Sequence, residues 1–207
     1  LRLERCWIQK FFLKLISSFN KYSVVEAYVM IIWINGAFGS GKTNTAYELM
    51  RRIPNSYVYD PEEAGYFIRD NIPSPLKLSD FQDFPMWREF NYKMLKYISK
   101  EYNGVIIVPM TITNKVYFNE VLVKLKGQGV NIKHFSLLAN KETLLKRLKK
   151  RGDGRDSWAS KQIERCINSL SDDLFEEHII TDNMTIDEVV EYIAGACNID
   201  LTPDNRS

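Results

Sequence analysis

The chain has 207 residues, 45% of them hydrophobic and 26% charged, with a formal net charge of +2 at pH 7. That is enough for one well-buried core and too little for two full domains, and the near-balanced charge gives neither the basic field of a nucleic-acid binder nor an acidic tail. Cys6, Cys166 and Cys197 are widely spaced and form no C-x-x-C pair, so neither a disulfide framework nor a zinc site is indicated, and a reducing cytoplasm is the expected setting. No apolar run reaches the roughly 18 to 20 residues that a membrane span requires.

Residues 1 to 29 read as an extension outside the domain. Their basic start and short apolar stretch, interrupted by Lys14, fit a signal peptide poorly. Phe11, Phe12, Leu15 and Ile16 suit an amphipathic surface helix. The preferred reading is a start-site artefact: the domain opens at Met30, and codons for Val25-Glu26-Ala27 can hold a ribosome-binding sequence just upstream.

From Met30 to Ser207 apolar runs alternate with amphipathic segments, the pattern of an α/β domain with a mainly parallel sheet. The first strand, Ile31 to Asn35, runs into Gly36-Ala37-Phe38-Gly39-Ser40-Gly41-Lys42-Thr43. This octapeptide fits the G-x-x-x-x-G-K-[ST] pattern of a phosphate-cradling loop, with a strand before it and a helix after it. Its glycines let successive backbone N–H groups turn inward around phosphate. Lys42 adds positive charge toward the β and γ phosphates, the Thr43 hydroxyl can ligate Mg²⁺, and the following helix aims its positive end at the same anion. ATP and Mg²⁺ are the expected cofactors.

Ser56 to Asp60 reads as a second strand ending in a carboxylate just before Pro61. Ligands of open parallel sheets bind outside the carboxyl ends of the strands, so Asp60 should face the crevice that holds the P-loop. A short helix near Glu62 to Asn71 and a loop able to cover a substrate follow. The helix Met86 to Tyr102 carries Trp87, Phe90, Met94, Leu95 and Ile98 at helical spacing, read as core. Arg69 and Arg88 are either in reach of an anionic substrate or, the preferred alternative, solvated surface arginines.

Gly104 to Pro109 is a continuous apolar run, expected as a buried central strand. Pro109-Met110-Thr111 follows where many P-loop enzymes carry a Mg-associated aspartate, which leaves Thr43, water and Asp60 for the metal. A helix near Val116 to Lys126, a Gly127-Gln128-Gly129 turn and a strand from Val130 to Leu138 come next. His134 and His178 sit in apolar runs and read as packed or strand-edge residues.

Asn140 is a fitting N-cap for a helix from Lys141 to Arg151. Arg147, Arg151 and Arg155 surround a glycine-bearing turn, Gly152-Asp153-Gly154, and read as a lid that closes over phosphates with bidentate forks. The alternative is a solvated basic helix end that suits the helix dipole. Ala159 to Leu170 is expected as helix, His178 to Asp182 as the last strand, and Thr185 to Glu188 as a capping box. Leu201 to Ser207 is read as a polar tail.

From Met30 to about Asp204 the sequence resembles the bacterial tunicamycin-resistance ATP-binding proteins. Ile32 to Thr43, Ser56 to Glu62, Ile107 to Ile112 and Lys141 to Leu148 carry the resemblance, and Ser157-Trp158-Ala159 and Thr181-Asp182-Asn183 extend it. More distantly the layout is similar to small-molecule and nucleoside-monophosphate kinases. That resemblance implies a three-layer P-loop NTPase fold with a five-stranded parallel sheet of order 2-3-1-4-5 between helices. It also implies Arg147 near adenine, Arg151 and Arg155 on phosphates, and Asp60 facing an acceptor hydroxyl. Some relatives continue into a C-terminal amphipathic segment that meets the membrane, whereas this chain stops at Asp204-Asn205-Arg206-Ser207, leaving membrane contact without support. Two functions follow: phosphotransfer from ATP to a small-molecule acceptor, or ATP-dependent sequestration of a nucleoside-like antibiotic without turnover. A mechanical NTPase fits poorly, since nothing resembles a sensor or nucleic-acid module.

Overall fold

A computed structural model describes residues 29 to 154 and 156 to 204. The expectations for residues 1 to 28 and for Arg155 fall outside the described residues. Strand β1 (Met30–Gly36) leads into helix α1 (Lys42–Arg52), β2 (Ser56–Val58) into α2 (Pro61–Asp70), and α3 (Pro85–Glu101) into β3 (Val105–Pro109). Then come α4 (Lys115–Phe118), a π-helical turn over Asn119–Val123, α5 (Lys124–Lys126), β4 (Ile132–Leu138), α6 (Lys141–Arg151), α7 (Trp158–Leu170), β5 (His178–Ile180) and α8 (Ile186–Cys197). The strands pair in parallel in the order β2-β3-β1-β4-β5, the arrangement the kinase resemblance implies.

The period of two along a strand sorts β1 onto both faces of the sheet. Ile31 and Trp33 join Ile106 and Val108 of β3 in a core that also holds Trp87 and Leu95 of α3, Leu144 and Leu148 of α6, and Ile163 of α7. Met30, Ile32 and Ile34 join Val105 and Ile107 of β3 on the other face, under Ala46 and Leu49 of α1 and Val189, Val190 and Ile193 of α8. Both faces are therefore dry, which is why β1 and β3 read as unbroken apolar runs. Each fully buried Ile contributes on the order of 1.5–3 kcal/mol.

The helix starts are chemically marked. Asn140 accepts from Thr143 N at 2.8 Å to cap α6, and Thr185 and Glu188 complete the capping box of α8. The described part of the polar tail is tied to α1. Thr202 N donates to Arg52 O at 2.8 Å, Arg52 Nε returns a bond to Thr202 O at 3.1 Å, and Arg51 pairs with Asp204 at 2.9 Å. Residues 202 to 204 thus strap the rear of α1, a role that their polar composition did not disclose.

His134 on β4 is packed, as expected, and 6% exposed. Its Nδ1–H donates to the Glu176 carbonyl at 2.8 Å, and its Nε2 accepts from the Asn35 amide at 3.4 Å, a pattern that only the neutral ring satisfies. Burial depresses its pKa from 6.5 to about 4, against the carbonyl's opposing pull. A depressed value means stability that is complete above pH 6.5 and lost as the pH falls toward 4, because the unfolded chain takes the proton first. Between pH 7 and 4.5 the protein is expected to lose on the order of 2–3 kcal/mol from this group alone. Urea titrations across that range, compared with His134→Gln, check it: the variant's acid loss should be smaller by that amount.

Candidate functional site

The carboxyl ends of β1, β2 and β3 place the P-loop, Asp60 and Thr111 at one edge of the sheet. Asn35, the last side chain of β1 before the loop, holds this edge together. Its Oδ1 accepts from Gly36 N at 2.9 Å and Ile112 N at 3.0 Å, and its Nδ2 donates to Ile112 O at 2.8 Å. The exit of β1 and the exit of β3 are therefore tied by one amide whose oxygen and nitrogen both have backbone partners.

The loop itself needs its glycines. Gly36, Gly39 and Gly41 have φ of +149°, +85° and +100°, and a Cβ on Gly36 would collide with Ser40 Oγ and lie 2.8 Å from Leu137 O. Ser40 Oγ is buried with no hydrogen-bond partner. A buried orphan hydroxyl within a concave, glycine-built loop fits a bound anion such as phosphate. Lys42, only 8% exposed, donates from Nζ to Gly36 O at 3.0 Å and Ala37 O at 3.1 Å. Burial lowers its pKa from 10.5 to about 8, with the Glu62 carboxylate the strongest opposing influence.

Phosphates beside Lys42 would raise that value again. Above pH 8, where a large part of Lys42 is neutral, nucleotide binding is expected to take up a proton, approaching roughly 0.7 per site at pH 8.5 and nearly none at pH 6.5. Calorimetric titrations in two buffers of different ionisation enthalpy measure it directly.

Around the loop lies a cavity of about 520 Å³. Gly39 to Asn44 form its floor, Arg147, Lys150 and Arg151 of α6 one wall, and Thr181, Met184, Thr185, Ile186 and Val189 the other. Thr43 is exposed at the first turn of α1 and lines this cavity, offering a hydroxyl; Asp60, the carboxylate that follows β2, lines a separate hollow between α2 and α3. The hydroxyl, a hard oxygen donor, suits a Mg²⁺ that keeps most of its waters and the nucleotide's own oxygens. Arg147 is held by Thr181, donating to its Oγ1 at 3.1 Å and to its carbonyl oxygen at 2.6 Å. Arg151 pairs with Asp153 at 2.6 Å within the turn that follows.

Asp60 follows β2 and caps α2, its Oδ1 accepting from Glu62 N at 2.9 Å. Burial raises its pKa above the ordinary carboxylate value, partly offset by that N–H and by the Lys42 charge. The Lys42 charge is a minor influence on Asp60, which lines that separate hollow rather than the P-loop cavity itself. Where an aspartate often follows the third strand, Thr111 turns its hydroxyl to Gly36 O at 2.7 Å. Of the residues lining the loop cavity, Lys150 was given no role in the sequence, while Ser40 was read from the P-loop register.

Two readings are corrected. Arg88 is not a solvated surface arginine: it is 8% exposed, pairs with Glu120, donates to Gln82 O and lies over the Tyr117 ring at 4.1 Å. Phe90, assigned to the buried stripe of α3, is 48% exposed, because the helix turns that position toward α2 rather than the sheet. There, Tyr59, Asp60, Glu63, Ala64, Phe67, Ile68, Met86 and Phe90 line a second hollow of about 590 Å³.

A parallel 2-3-1-4-5 sheet whose first strand enters a glycine cradle defines a P-loop kinase-like nucleotide-binding fold. The family described as AAA domain matches residues 31–171. The tunicamycin resistance protein of Deinococcus radiodurans is 36% identical over 84% of this chain and 98% of its own, with a TM-score of 0.73, and the chain belongs to this tunicamycin-resistance family. A sugar kinase from Janibacter sp. HTCC2649 (16% identity, 82% of this chain and 94% of its own, TM-score 0.57) and a gluconokinase from Sinorhizobium meliloti 1021 (16%, 83% and 93%, 0.58) share the fold. Comparison with curated protein sequences finds no match. Among the described residues no helix is long and apolar enough to cross a membrane.

Proposed function

We propose that this protein transfers the γ-phosphoryl group of ATP to a hydroxyl of a small organic acceptor, a nucleoside-like antibiotic such as tunicamycin being the ligand that its kinship suggests. The observation that carries this reading is the Asp60 carboxylate at the carboxyl end of β2, fixed by an α2 N–H and lining a hollow large enough for a small molecule. The acceptor oxygen attacks the γ-phosphorus, the bond to the β,γ-bridging oxygen breaks, ADP leaves, and Asp60 receives the hydroxyl proton. Lys42 and the loop N–H groups hold the β and γ phosphates, and Arg147 and Arg151 line the nucleotide cavity, with Arg155 assigned to the same lid. Mg²⁺ would be held by the Thr43 hydroxyl and would supply charge neutralisation on the phosphates.

Thr111 in place of a metal-associated aspartate favours a second reading, ATP-dependent sequestration without turnover. Incubation with γ-labelled ATP, Mg²⁺ and tunicamycin or a nucleoside panel, followed by mass analysis of the small molecules, separates the two. Transfer gives a product heavier by one phosphoryl group; sequestration leaves the small molecule unchanged while drug and ATP raise each other's affinity.

A further inference from the structure

Asp60 lies just past the point where the sheet can hold it. β2 is a three-residue edge strand, and its pairing to β3 ends with Tyr59 N donating to Ile107 O at 2.9 Å. In this register the next rung would need an N–H from Pro109, which has none. Helix α3 takes over from there. Trp87 Nε1 donates to Pro61 O at 2.9 Å, and the Tyr59 hydroxyl donates to Asn91 Oδ1 at 2.7 Å. Asn91 Nδ2 donates in turn to Trp87 O at 2.8 Å, so the residues on either side of Asp60 are gripped by successive turns of one helix. Trp87 and Asn91 are wholly buried, and Tyr59 is buried with them. An asparagine at a core position forgoes apolar packing and obliges its surroundings to satisfy an amide. Here the amide oxygen goes to the residue before Asp60.

We infer that Asn91 and Trp87 are positioning residues that set the placement of the Asp60 carboxylate from α3. The same helix contributes Met86 and Phe90 to the hollow that Asp60 lines, so carboxylate and facing wall share one support. A misplacement of about 1 Å at a reacting group costs up to roughly 10²-fold in rate. The inference rests on the phosphotransfer reading for what Asp60 does, and not for how Asp60 is held. The Glu62 N–H reports the latter directly. It lies in the first turn of α2, where amides have no partner within their own helix, and Asp60 Oδ1 is its acceptor at 2.9 Å.

Two variants of the full chain test this: Tyr59→Phe combined with Asn91→Leu, and Trp87→Phe alone. The first deletes both partners of one bond together, which leaves little stability to lose; the second keeps a ring and deletes the N–H. Amide exchange followed by NMR should quicken at Glu62 by roughly two- to tenfold in each, while Tyr66 to Asp70 of α2 keep their protection. With γ-labelled ATP, Mg²⁺ and tunicamycin, kcat should fall roughly 10- to 100-fold at an unchanged KM for ATP. The acid limb of kcat should move down toward the ordinary carboxylate range, because burial is the largest influence on Asp60 and a loosened carboxylate gains water. Folded variants in which Glu62 exchange or kcat is unchanged overturn the inference. Quickening of all α2 amides together overturns it too, since a purely structural contact acts on the whole helix. A response at Glu62 alone, with no labelled product even from the unmodified protein, supports the positioning role and removes phosphotransfer instead.

Discussion

Lys42→Met is expected to raise the thermal midpoint of the nucleotide-free protein while lowering phosphoryl transfer by roughly 10²- to 10³-fold, the usual cost of losing one preorganised charge from a reacting centre. The two effects share a cause. A pKa lowered to about 8 means that burial disfavours the ammonium in the empty site, on the order of 3 kcal/mol at neutral pH. The two bonds to Gly36 O and Ala37 O offset part of this at about 0.5–1.5 kcal/mol each. Methionine has similar length and no charge, so a net gain of about 1 kcal/mol, or 2–4 °C, is expected for a chain of this size. The sign is checked by pH. Because the folded value is depressed, the penalty is full below pH 8 and fades as the pH rises toward 10.5, so the midpoints of variant and unmodified protein should converge near pH 10. Differential scanning calorimetry across that range tests it, and an unchanged gap would assign the stabilisation to packing.

Asp60→Asn is the second large effect, a loss of about 10²- to 10⁴-fold in transfer with ATP affinity nearly preserved. Asparagine still accepts the Glu62 N–H and still caps α2, so the helix keeps its start. Asp60→Ala removes the cap as well and should lose about 1 kcal/mol of stability that Asn retains. The pH profile carries the mechanism. Burial raises the Asp60 pKa, so the acid limb of kcat should lie above the ordinary carboxylate range in the unmodified protein and disappear in Asn. Normal transfer by the Asn variant would exclude Asp60 as the proton acceptor.

What was legible in the sequence follows the range of the forces involved. β1 and β3 were visible because a strand buried on both faces leaves no polar positions in its run, and α6 and α8 because Asn140 and Thr185 cap backbone groups three residues away. The phosphate loop was legible because its glycines answer a local backbone need. The Thr111 hydroxyl on Gly36 O spans 75 positions, and no local pattern encodes it. Phe90 was misplaced for a similar reason: helical spacing reports that a face is apolar, not whether sheet, helix or water lies against it. The π turn at Asn119–Val123 shifts the hydrogen-bond register by one residue, which periodicity over so short a helix does not resolve.

The pairing of Arg151 with Asp153 alters how the proposed lid should behave. Asp153 acts as an internal counterion, so an incoming phosphate does not meet a bare guanidinium; it competes for one already spoken for. Binding then exchanges one ion pair for another, and the affinity depends on salt less steeply than Arg147, Lys150 and Arg151, the basic residues of α6 that line the cavity, would suggest. Resting neutrality of this kind also keeps a strongly basic helix end from collecting whatever polyanion diffuses past, reserving it for a ligand that the glycine cradle has already seized.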